Sequence, residues 1–584
     1  GAVAAAPAPA GTPNFLGPKE KRWPPDGAPD GGTLTRGWAS GDPKGWNPLL
    51  ENAAELTELV EAYAAAPLAD RNSFTDPDRW YGVLATHVAI SDDHREFTIT
   101  LRPGVKWHRP PGVDLDAPRY HWLRGEHLVT ADDFVFTFGL IVNPQVENGF
   151  LKSYYADLES VRAESPTRLV VRWKKRLYAS VDSTLSVAPL PKFLFGHEED
   201  GAPIPEATLG LRFNQHWYNN KGYVGAGPYR MESYEPGRRV RLVRNDDFPG
   251  DRPAIREIVY PIYTDPSQTL LKLRAHELSA GGLTPGQYRE QILDPKRTGA
   301  PTAGNPFLDG RLECRTLDQP AFRYLGWNAD RPLFADARVR RAMTLAWNRK
   351  QIVENVFVGL GQVTTGPFLP GSPYNDPDIQ PWPFDLAAAR RLLEEAGYAD
   401  TDGDGLLDRE LRPGDGKRSP FAFSLLITSA SKEIASAANV FKEDLLRIGV
   451  KLDVEAVEWS LMQKRMDEKS FDAYAGGWAL SWETDLHQIW HSSQADAPRG
   501  SNRVGFRNKE ADAVIEELRE TFDRDRRVAL FRRFHRIVHE QQPYSFFLVP
   551  RAPYCTWNDV LHVEFAKVRP VVNTLPWAMA RATR

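Results

Sequence analysis

One βαβ segment constrains the fold more than any other part of the sequence. The runs FAFSLLI (421–427) and VKLDVEAV (450–457) have the length and apolar content of buried strands. Between them, residues 431–448 carry apolar side chains at helical spacing, and Gly449 follows as a stop signal. FDAYAGGW (471–478) predicts a third strand. This order predicts a parallel sheet with right-handed crossovers and therefore an α/β fold class.

A ligand site is predicted at the end of the third strand, which reads AGGWALSW (475–482). Parallel sheets bind ligands beyond the carboxyl ends of their strands. Two glycines let a ligand approach the backbone, and Trp478 and Trp482 offer flat apolar walls. Gly477 and Ala479 are candidates for backbone hydrogen bonds to a ligand. Ordinary core packing is the alternative interpretation of each tryptophan.

Length and composition exclude several classes of protein. A chain of 584 residues predicts several domains. The net charge of −4 gives no electrostatic basis for binding nucleic acid or an anionic membrane. No stretch of the sequence approaches the ~20 apolar residues that a membrane span needs. The sequence has no GxSxG elbow and no Walker-type loop, so we do not expect an enzyme.

Two features bear on the compartment in which the protein works. Residues 1–13 read GAVAAAPAPAGTP, which is typical of a flexible tether left after removal of a leader. A disordered end of a cytosolic protein is the alternative. Cysteine is rare, and a bridge between Cys314 and Cys555 is a hypothesis that fits an exported protein. Two buried thiols of a cytosolic protein are the alternative.

The loop DTDGDGLLD (400–408) has the spacing of a calcium-binding loop. Carboxylates alternate along it, and Gly405 permits the sharp turn around a hard cation. The glutamate of an EF-hand is missing from the twelfth position, where Leu411 stands beside Glu410. A structural Ca²⁺ is therefore a hypothesis, an Asp/Gly turn without metal is the alternative, and no other cofactor is expected. The candidate ligands are Asp400, Asp402, Asp404 and Asp408.

Capping residues predict where several helices begin. Thr130 precedes ADDFVFTFGLIV, and Asp336, Asp385 and Asp523 precede further amphipathic segments. The segment after Asp336 is predicted as one helix that continues to Gly359. The helix after Asp523 carries two histidines four residues apart, and with no third ligand nearby they are expected to be solvated surface side chains. They are His535 and His539.

Six blocks of sequence occur in a fixed order along most of the chain. They are GGTLTRGWASGDPKGWNPL (31–49), FTITLRPGVKWH (97–108) with LVTADDFVFTF (128–138), GAGPYRMESYEPG (225–237) with RLVRNDDF (241–248), FADARVRRAMTLAWNRKQIV (334–353), WHSSQ (490–494) with GSNRVGFRNKEAD (500–512), and QQPYSFF (541–547). In this order the chain resembles the family 5 bacterial solute-binding proteins, the peptide-, nickel- and oligosaccharide-binding subunits of ABC importers. Residues 109–127 are an insertion within the second block.

The resemblance implies an α/β, two-lobed periplasmic-binding-protein type II fold with an extra domain in the first lobe. Chain crossings near 322–328 and 543–549 would form a hinge about which the lobes close on a ligand. The implied division is a tether at 1–30, lobe 1 from 31–54, 223–321 and 544–584, the extra domain at 55–222, and lobe 2 at 322–543.

The resemblance also implies positions for ligand contacts. In peptide-binding members the strand end that corresponds to 475–481 pairs with the peptide backbone, and an aspartate there binds the free α-amino group. Counted from Trp478, that position is Ser481, which cannot offer a full charge to an ammonium group. Asp485 lies four residues on and would substitute if the loop folds back. Further candidates for the cleft wall, with core packing as the alternative, are Trp38, Trp46 and Tyr324.

The function implied is capture of a peptide or peptide-like solute and its delivery to the permease subunits of an ABC importer. The protein is expected to be a monomer in the periplasm or another extracytoplasmic space, lipid-anchored through a removed N-terminal segment or free. The same fold with an oligosaccharide or other non-peptide ligand is the first alternative, because sugar rings also stack on tryptophan. A sensor domain and a hydrolase are alternatives from other classes.

Overall fold

The computed structural model describes residues 13–38, 41–51, 54–299, 301–411, 414, 416–497 and 500–581. The chain divides into two units, one formed by Gly1–Arg315 with Tyr554–Arg584 and the other by Thr316–Pro553. It therefore passes from the first unit to the second after Arg315 and returns after Pro553. None of the helices in the described ranges has the length and apolar character needed to cross a membrane.

The first unit contains two four-stranded sheets. The strands in the first 318 residues are β1 (Thr33–Thr35), β2 (Ala69–Asn72), β3 (Asp76–Gly82), β4 (Ala85–Ile90), β5 (Glu96–Leu101), β6 (Leu158–Ser165), β7 (Arg168–Trp173), β8 (Tyr229–Glu235), β9 (Arg239–Arg244), β10 (Glu257–Pro261), β11 (Ala280–Gly282) and β12 (Leu312–Asp318). One sheet has the order β1-β10-β9-β8, the other has the order β4-β5-β7-β6, and β2 pairs with β3.

The helices of the first unit are mostly short. They are α1 (Ala54–Leu59), α2 (Ala131–Val142), α3 (Gly149–Lys152), α4 (Ala179–Leu185), α5 (Lys192–Phe195), α6 (Glu206–Asn214), α7 (Pro266–Arg274), α8 (Pro285–Tyr288) and α9 (Asp294–Thr298). Single turns of 3₁₀ or π helix occur at Val60–Ala64, Pro118–Leu123, Ser153–Tyr155 and Arg289–Leu293.

The second unit is built on a mixed sheet. Its strands are β13 (Ala321–Trp327), β14 (Gly361–Val363), β15 (Asp408–Glu410), β16 (Arg418–Pro420), β17 (Ala422–Thr428), β18 (Lys451–Val457), β19 (Ala473–Ala479) and β20 (Tyr544–Trp557). The order across the sheet is β20-β13-β19-β17-β18, with β14 also paired to β20. β17 runs parallel to both β18 and β19, as the βαβ pattern predicted.

Helices cover both faces of this sheet. They are α10 (Ala337–Leu345), α11 (Arg349–Asn355), α12 (Leu386–Glu395), α13 (Lys432–Leu446), α14 (Trp459–Asp467), α15 (His487–Trp490), α16 (Lys509–Glu520) and α17 (Arg524–Gln541), with a 3₁₀ turn at Ser492–Gln494. Side chains alternate between the faces of each strand, so Leu325 and Tyr324 enter different apolar cores. The chain then ends with β21 (Val560–Leu561) and β22 (Ala578–Met579).

The predicted helix starts are confirmed, with one difference. The side chains of Asp336, Asp385 and Asp523 each accept a hydrogen bond from a backbone N–H two or three residues on. The single helix predicted from Asp336 to Gly359 is wrong, because α10 ends at Leu345 and α11 begins anew at Arg349. Asn348 caps α11 by accepting a hydrogen bond from the N–H of Gln351. Asparagine is among the preferred N-cap residues, because its short side chain reaches the free backbone N–H groups of the first turn.

The histidine prediction is also corrected. His535 is fully buried, because it shares the inner face of α17 with Phe531 and Val538. Its Nδ1 accepts a hydrogen bond from the N–H of Asp376 at 3.1 Å, and its Nε2 lies 3.0 Å from the hydroxyl of Thr365. His535 is therefore a hydrogen-bonded core residue rather than a solvated surface side chain.

Part of the segment expected as a tether is hydrogen-bonded to the first unit. The N–H of Phe15 donates to the C=O of Val88 at 2.8 Å, and the N–H of Gly17 donates to the C=O of Trp80 at 2.9 Å. Residues 13–30 are thus attached to the first unit, because the backbone there finds hydrogen-bond partners on β3 and β4. Residues 1–12 lie outside the described part of the chain.

The hypothesised bridge between Cys314 and Cys555 is present, with 4.0 Å between the two Cα atoms. Cys314 lies on β12 and Cys555 on β20, and these two strands pair with each other. Both cysteines belong to the first unit, and each lies within two residues of a passage to the second unit. The bridge therefore ties the two passages together on the side of the first unit.

Candidate functional site

The sheet of the second unit opens between β17 and β19. β17 pairs with β18 over its whole length, from Ala422 to Thr428. It meets β19 at two positions only, Leu425 with Ala473 and Leu426 with Tyr474. Beyond Tyr474 the pairing of the two strands ends, so the edge of β19 that faces β17 has no strand partner there among the described residues.

Gly477 and Ala479 present their backbone groups at this open edge. The N–H of Leu480 donates to the C=O of Pro320 at 2.8 Å, so the even-numbered residues of β19 direct their N–H and C=O groups toward β13. The odd-numbered residues direct theirs the other way. Gly477 and Ala479 are also exposed to solvent. The two residues predicted to offer backbone hydrogen bonds therefore stand where an added strand could reach them.

A cavity of about 350 Å³ adjoins the open edge. All of its lining residues belong to the second unit. Most of the wall is aromatic or aliphatic, which suits an apolar ligand group. Outside the strands, this part of the wall consists of Trp347, Ile434, Ala437, Ala438, Phe441, Trp459, Met462 and Met466, and β17 and β20 add Leu425 and Phe547.

Three tyrosines support the strand end from one face of the sheet. The hydroxyls of Tyr324 and Tyr474 lie 2.9 Å apart, and the rings of Tyr324 and Tyr544 stack with centroids 3.7 Å apart. The indole N–H of Trp478 donates to the Tyr544 hydroxyl at 3.2 Å. Burial raises the pKa of all three tyrosines, so their hydroxyls stay protonated and act as hydrogen-bond donors.

These contacts decide the roles of two predicted residues. Tyr324 is 2% exposed, contacts the cavity wall and belongs to the buried platform below it. Trp478 is half-buried and lines the cavity, held in place by its hydrogen bond to Tyr544. Gly476 lies between two tyrosine rings, where a Cβ would come within 2.7 Å of Tyr474. A glycine is thus required for the platform to pack.

The other predicted residues of this strand end lie outside the cavity wall. Ser481 is exposed just after β19, and Trp482 packs edge-on against Tyr374 with centroids 6.3 Å apart. Asp485 accepts a hydrogen bond from the N–H of His487 at 3.0 Å, and its other oxygen lies 3.5 Å from Nε of Arg519. The Asp485 carboxylate is therefore engaged within its own loop.

A buried ion pair that the sequence did not suggest anchors this loop. Nε of Arg527 lies 2.5 Å from a carboxylate oxygen of Glu483, and the two side chains are 3% and 7% exposed. Arg527 also donates to the C=O of Phe522 at 2.6 Å. The pair joins the loop that follows β19 to α17. The sequence does not show this pair, because α17 carries several arginines and their spacing does not show which of them is buried.

The two tryptophans predicted from the first unit are packed in its interior. Trp38 is 6% exposed and donates its indole N–H to the C=O of Gly41 at 2.6 Å. Trp46 is 2% exposed and packs edge-on against Tyr234 with centroids 5.0 Å apart. Both have the contacts expected from core packing, which was the alternative interpretation.

Two arginines that the sequence analysis did not single out line the cavity, Arg323 and Arg503. Arg503 places its guanidinium carbon 5.8 Å from the ring centroid of Trp478, and its Nη2 lies 3.5 Å from Asp467. Arg323 lies on β13 opposite Gly477. No aspartate or glutamate is among the described residues that line the cavity.

The loop at 400–408 brings three of its four candidate carboxylates together. One oxygen each from Asp400, Asp402 and Asp408 lies within 4.8 Å of the others. Asp404 is outside this group and accepts a hydrogen bond from the N–H of Leu406 at 2.8 Å. The calcium site stays a prediction.

Asp408 already has partners of its own. It accepts hydrogen bonds from the N–H and the hydroxyl of Thr401, both at 2.9 Å, and forms an ion pair with Arg418. The N–H of Thr401 and the charge of Arg418 lower the pKa of Asp408. A cation would therefore meet an ionised carboxylate that Arg418 already contacts.

Comparison with known proteins gives relatives that include an oligopeptide-binding protein. The oligopeptide-binding protein AppA of Bacillus subtilis is 28% identical over 506 residues, which cover 85% of this chain and 83% of that protein. The solved structure of AppA from Bacillus subtilis in complex with a nonapeptide superposes with a TM-score of 0.71 at 26% identity, covering 95% of this chain and 100% of that one.

A second solved structure shows the likeness of fold alone. NikZ from Campylobacter jejuni in complex with Ni(L-His) superposes with a TM-score of 0.68 at 20% identity, covering 94% of this chain and 99% of that one. The predicted α/β fold of the two-lobed periplasmic-binding-protein type is confirmed by these matches. The profile of the bacterial extracellular solute-binding proteins, family 5 Middle, matches residues 79–497. This chain belongs to the family 5 bacterial extracellular solute-binding proteins.

Proposed function

We propose that this protein binds a peptide or peptide-like solute outside the cytoplasm and delivers it to the permease subunits of an ABC importer. The observation that carries the proposal is the open edge of β19, where Gly477 and Ala479 present backbone groups beside an apolar cavity. An extended peptide pairs with such an edge as an added strand, whatever its side chains are. The cavity then receives an apolar side chain of that peptide.

The relatives support a peptide in preference to other solutes. The Bacillus subtilis relative is named as an oligopeptide-binding protein, and its structure holds a nonapeptide. An oligosaccharide offers no row of alternating N–H and C=O groups to match the edge of β19. Trp478 would accept a sugar ring equally well, so the backbone edge is the feature that favours the peptide.

Delivery to a permease requires two states, one that holds the ligand and one that releases it. We propose that the passages in β12 and β20 act as the hinge between these states. A ligand that binds the closed state better shifts the population toward it. The protein acts as a monomer, and the permease subunits recognise the closed, loaded form.

We propose that the protein releases the bound solute without altering it chemically. The cavity wall in the described part of the chain has no serine, cysteine or histidine and no carboxylate. The wall does carry the hydroxyls of Tyr324, Tyr474 and Thr428, but burial raises the pKa of both tyrosines, and no histidine or carboxylate of the wall stands beside Thr428 to take its proton. Incubation with a bound peptide followed by mass spectrometry is expected to return the peptide intact, and a cleaved product would favour the hydrolase alternative.

Calorimetric titration tests the proposal. The probes are apolar tripeptides to nonapeptides, maltotriose, and nickel with histidine, all added to protein that has been unfolded and refolded to remove any bound ligand. We expect saturable binding of at least one peptide length and none of maltotriose. A saturable response to the sugar alone would contradict the peptide proposal and favour the oligosaccharide alternative.

A further inference from the structure

The charged residues in the described part of the cavity wall are both cations. Its two charged lining residues are Arg323 and Arg503, and the lining residues in the described ranges include no acidic side chain. A ligand ammonium group would meet two cations there and no counter-ion. Ser481, which stands where peptide-binding relatives are expected to carry an aspartate, is uncharged and outside the wall.

Arg323 lies on β13, across β19 from the open edge, and lines the same cavity as Gly477. It pairs with Gly477 in the register of β13 and β19. A methyl group built on Gly477 would lie 3.9 Å from Cγ of Arg323. The side chain of Arg323 therefore lies next to Gly477 on the same face of the sheet. A ligand group that enters the cavity from a strand at this edge therefore meets Arg323 on the cavity wall.

The guanidinium of Arg323 has no hydrogen-bond or ion-pair partner among the described residues, although most of the side chain is removed from water. Burial lowers the pKa of Arg323, and the charge of Glu433 acts on it in the opposite direction. Glu433 forms no ion pair with Arg323 in the described structure, and its carboxylate accepts a hydrogen bond from the hydroxyl of Ser431 at 3.3 Å. A half-buried guanidinium without a partner gains much from an added anion.

Arg503 differs from Arg323 in this respect. Its Nη2 is 3.5 Å from Asp467, and its guanidinium lies over the ring of Trp478. Asp467 and the aromatic face already offset part of its charge. The unmatched charge of the cavity is therefore that of Arg323.

We propose that Arg323 binds a carboxylate of the ligand, so that the site selects peptides that place an anionic group beside Gly477 and an apolar side chain in the cavity. This inference rests on the proposed function. The recognised carboxylate has two sources, the C-terminus of the peptide or an aspartate or glutamate side chain. The protein would thus recognise a carboxylate of the ligand rather than its α-amino group.

The first experiment needs only the unmodified protein. Calorimetry at pH 7 compares the peptide Ala-Ala-Phe-Leu with its C-terminal amide, its N-acetylated form, and the amide of Ala-Ala-Phe-Glu. We expect the amide of Ala-Ala-Phe-Leu to bind about 10- to 100-fold more weakly than the free acid, which is the loss that a charge-assisted hydrogen bond gives. N-acetylation is expected to leave the affinity unchanged.

The glutamate peptide separates the two sources of the carboxylate. If its amide binds as tightly as the free acid of Ala-Ala-Phe-Leu, a side-chain carboxylate serves, and the inference holds with that source. If its amide binds as weakly as the amide of Ala-Ala-Phe-Leu, the C-terminus is the group that Arg323 recognises.

The second experiment removes the charge. Arg323→Gln is expected to abolish the difference between acid and amide while the amide keeps its affinity. Arg447→Gln, on an exposed arginine just after α13, is the matched control and is expected to keep the difference. Circular dichroism verifies that both variants fold, and the comparison of peptides on the unmodified protein stands without them.

Equal affinity of the unmodified protein for acid and amide overturns the inference but leaves peptide binding intact. A difference that survives in Arg323→Gln also overturns the role of Arg323. Failure of every peptide to bind overturns the proposed function and this inference together, so the two failures are distinguishable.

Discussion

Glu483 and Arg527 form an ion pair at 2.5 Å that is almost closed to water. The pair ties the loop after β19, which carries three of the predicted ligand residues, to the first turn of the chain's longest described helix, α17. Two charges of opposite sign tolerate such burial only together, because either one alone would lack compensation.

Removing one partner of this pair should therefore destabilise the protein strongly. We expect Arg527→Met to lower the free energy of unfolding by about 3–5 kcal/mol, measured by urea denaturation. The control is Arg533→Met, whose pair with Glu510 is exposed and is expected to contribute less than about 1 kcal/mol. Equal losses for the two variants would contradict the buried role of Arg527.

The backbone N–H of Ala479 should contribute to peptide affinity. Ala479→Pro removes that donor from the open edge, and we expect calorimetry to show peptide binding weakened by at least about 1 kcal/mol, or about fivefold. Ala479→Ser keeps the N–H at nearly the same size and is expected to bind like the unmodified protein. If the proline variant is folded and binds peptide with unchanged affinity, the ligand does not pair with this edge.

Gly476 should be far less tolerant of substitution than its neighbour Gly477. A Cβ at Gly476 would lie 2.8 Å from the hydroxyl of Tyr324, whose ring cannot move away because it is stacked and hydrogen-bonded. We expect Gly476→Ala to cost about 1–3 kcal/mol of stability, seen as a lower melting temperature. Gly477→Ala meets a carbonyl oxygen at 3.2 Å and should cost less. The reverse ranking would argue against the packing of the tyrosine platform.

His535 should make stability depend on pH. Burial lowers its pKa to about 4, below the ordinary value of about 6.5 that it takes in the unfolded chain. The unfolded chain therefore binds the extra proton first, so stability is complete above pH 6.5 and falls as the pH drops toward 4. The full loss corresponds to about 3 kcal/mol.

The comparison that isolates this effect is between the protein and His535→Gln. Other groups titrate in the same range, so the measured quantity is the difference in urea-unfolding free energy between the two proteins at pH 7.5 and at pH 4.5. We expect the variant to lose less stability on acidification. Parallel pH profiles would show that His535 has the same pKa in the folded and the unfolded chain, and would contradict the lowered pKa.

Two variants of the 400–408 loop test the calcium prediction, one inside the carboxylate group and one outside it. In protein freed of metal with EDTA, added Ca²⁺ is expected to raise the melting temperature, by the equivalent of about 2.7 kcal/mol at a hundredfold excess over the dissociation constant. Asp402→Asn should remove the effect, whereas Asp404→Asn should keep it because Asp404 is outside the carboxylate group. No difference between Ca²⁺ and EDTA would end the calcium hypothesis.

The local elements of the second unit could be predicted because they depend on signals that lie close together in the chain. The strand and helix periods of 421–478 and the caps at Asp385 and Asp523 are confirmed. The cap at Asn348 is not predictable in the same way, because the apolar period continues through it without a break. Gly477 and Ala479 were identified from their place at a strand end, and the register later showed that both face the open edge.

The sequence by itself determined the fold class, the family and the strand end that forms the candidate site, because periodicity, caps and ordered blocks are carried by neighbouring residues. Only the tertiary structure decided which side chains meet across long separations. The burial of His535, the pair of Glu483 with Arg527, the bridge of Cys314 with Cys555 and the unpaired charge of Arg323 belong to this second group. Each depends on which face of a helix or strand turns inward, and that choice is made by packing against segments far away in the chain.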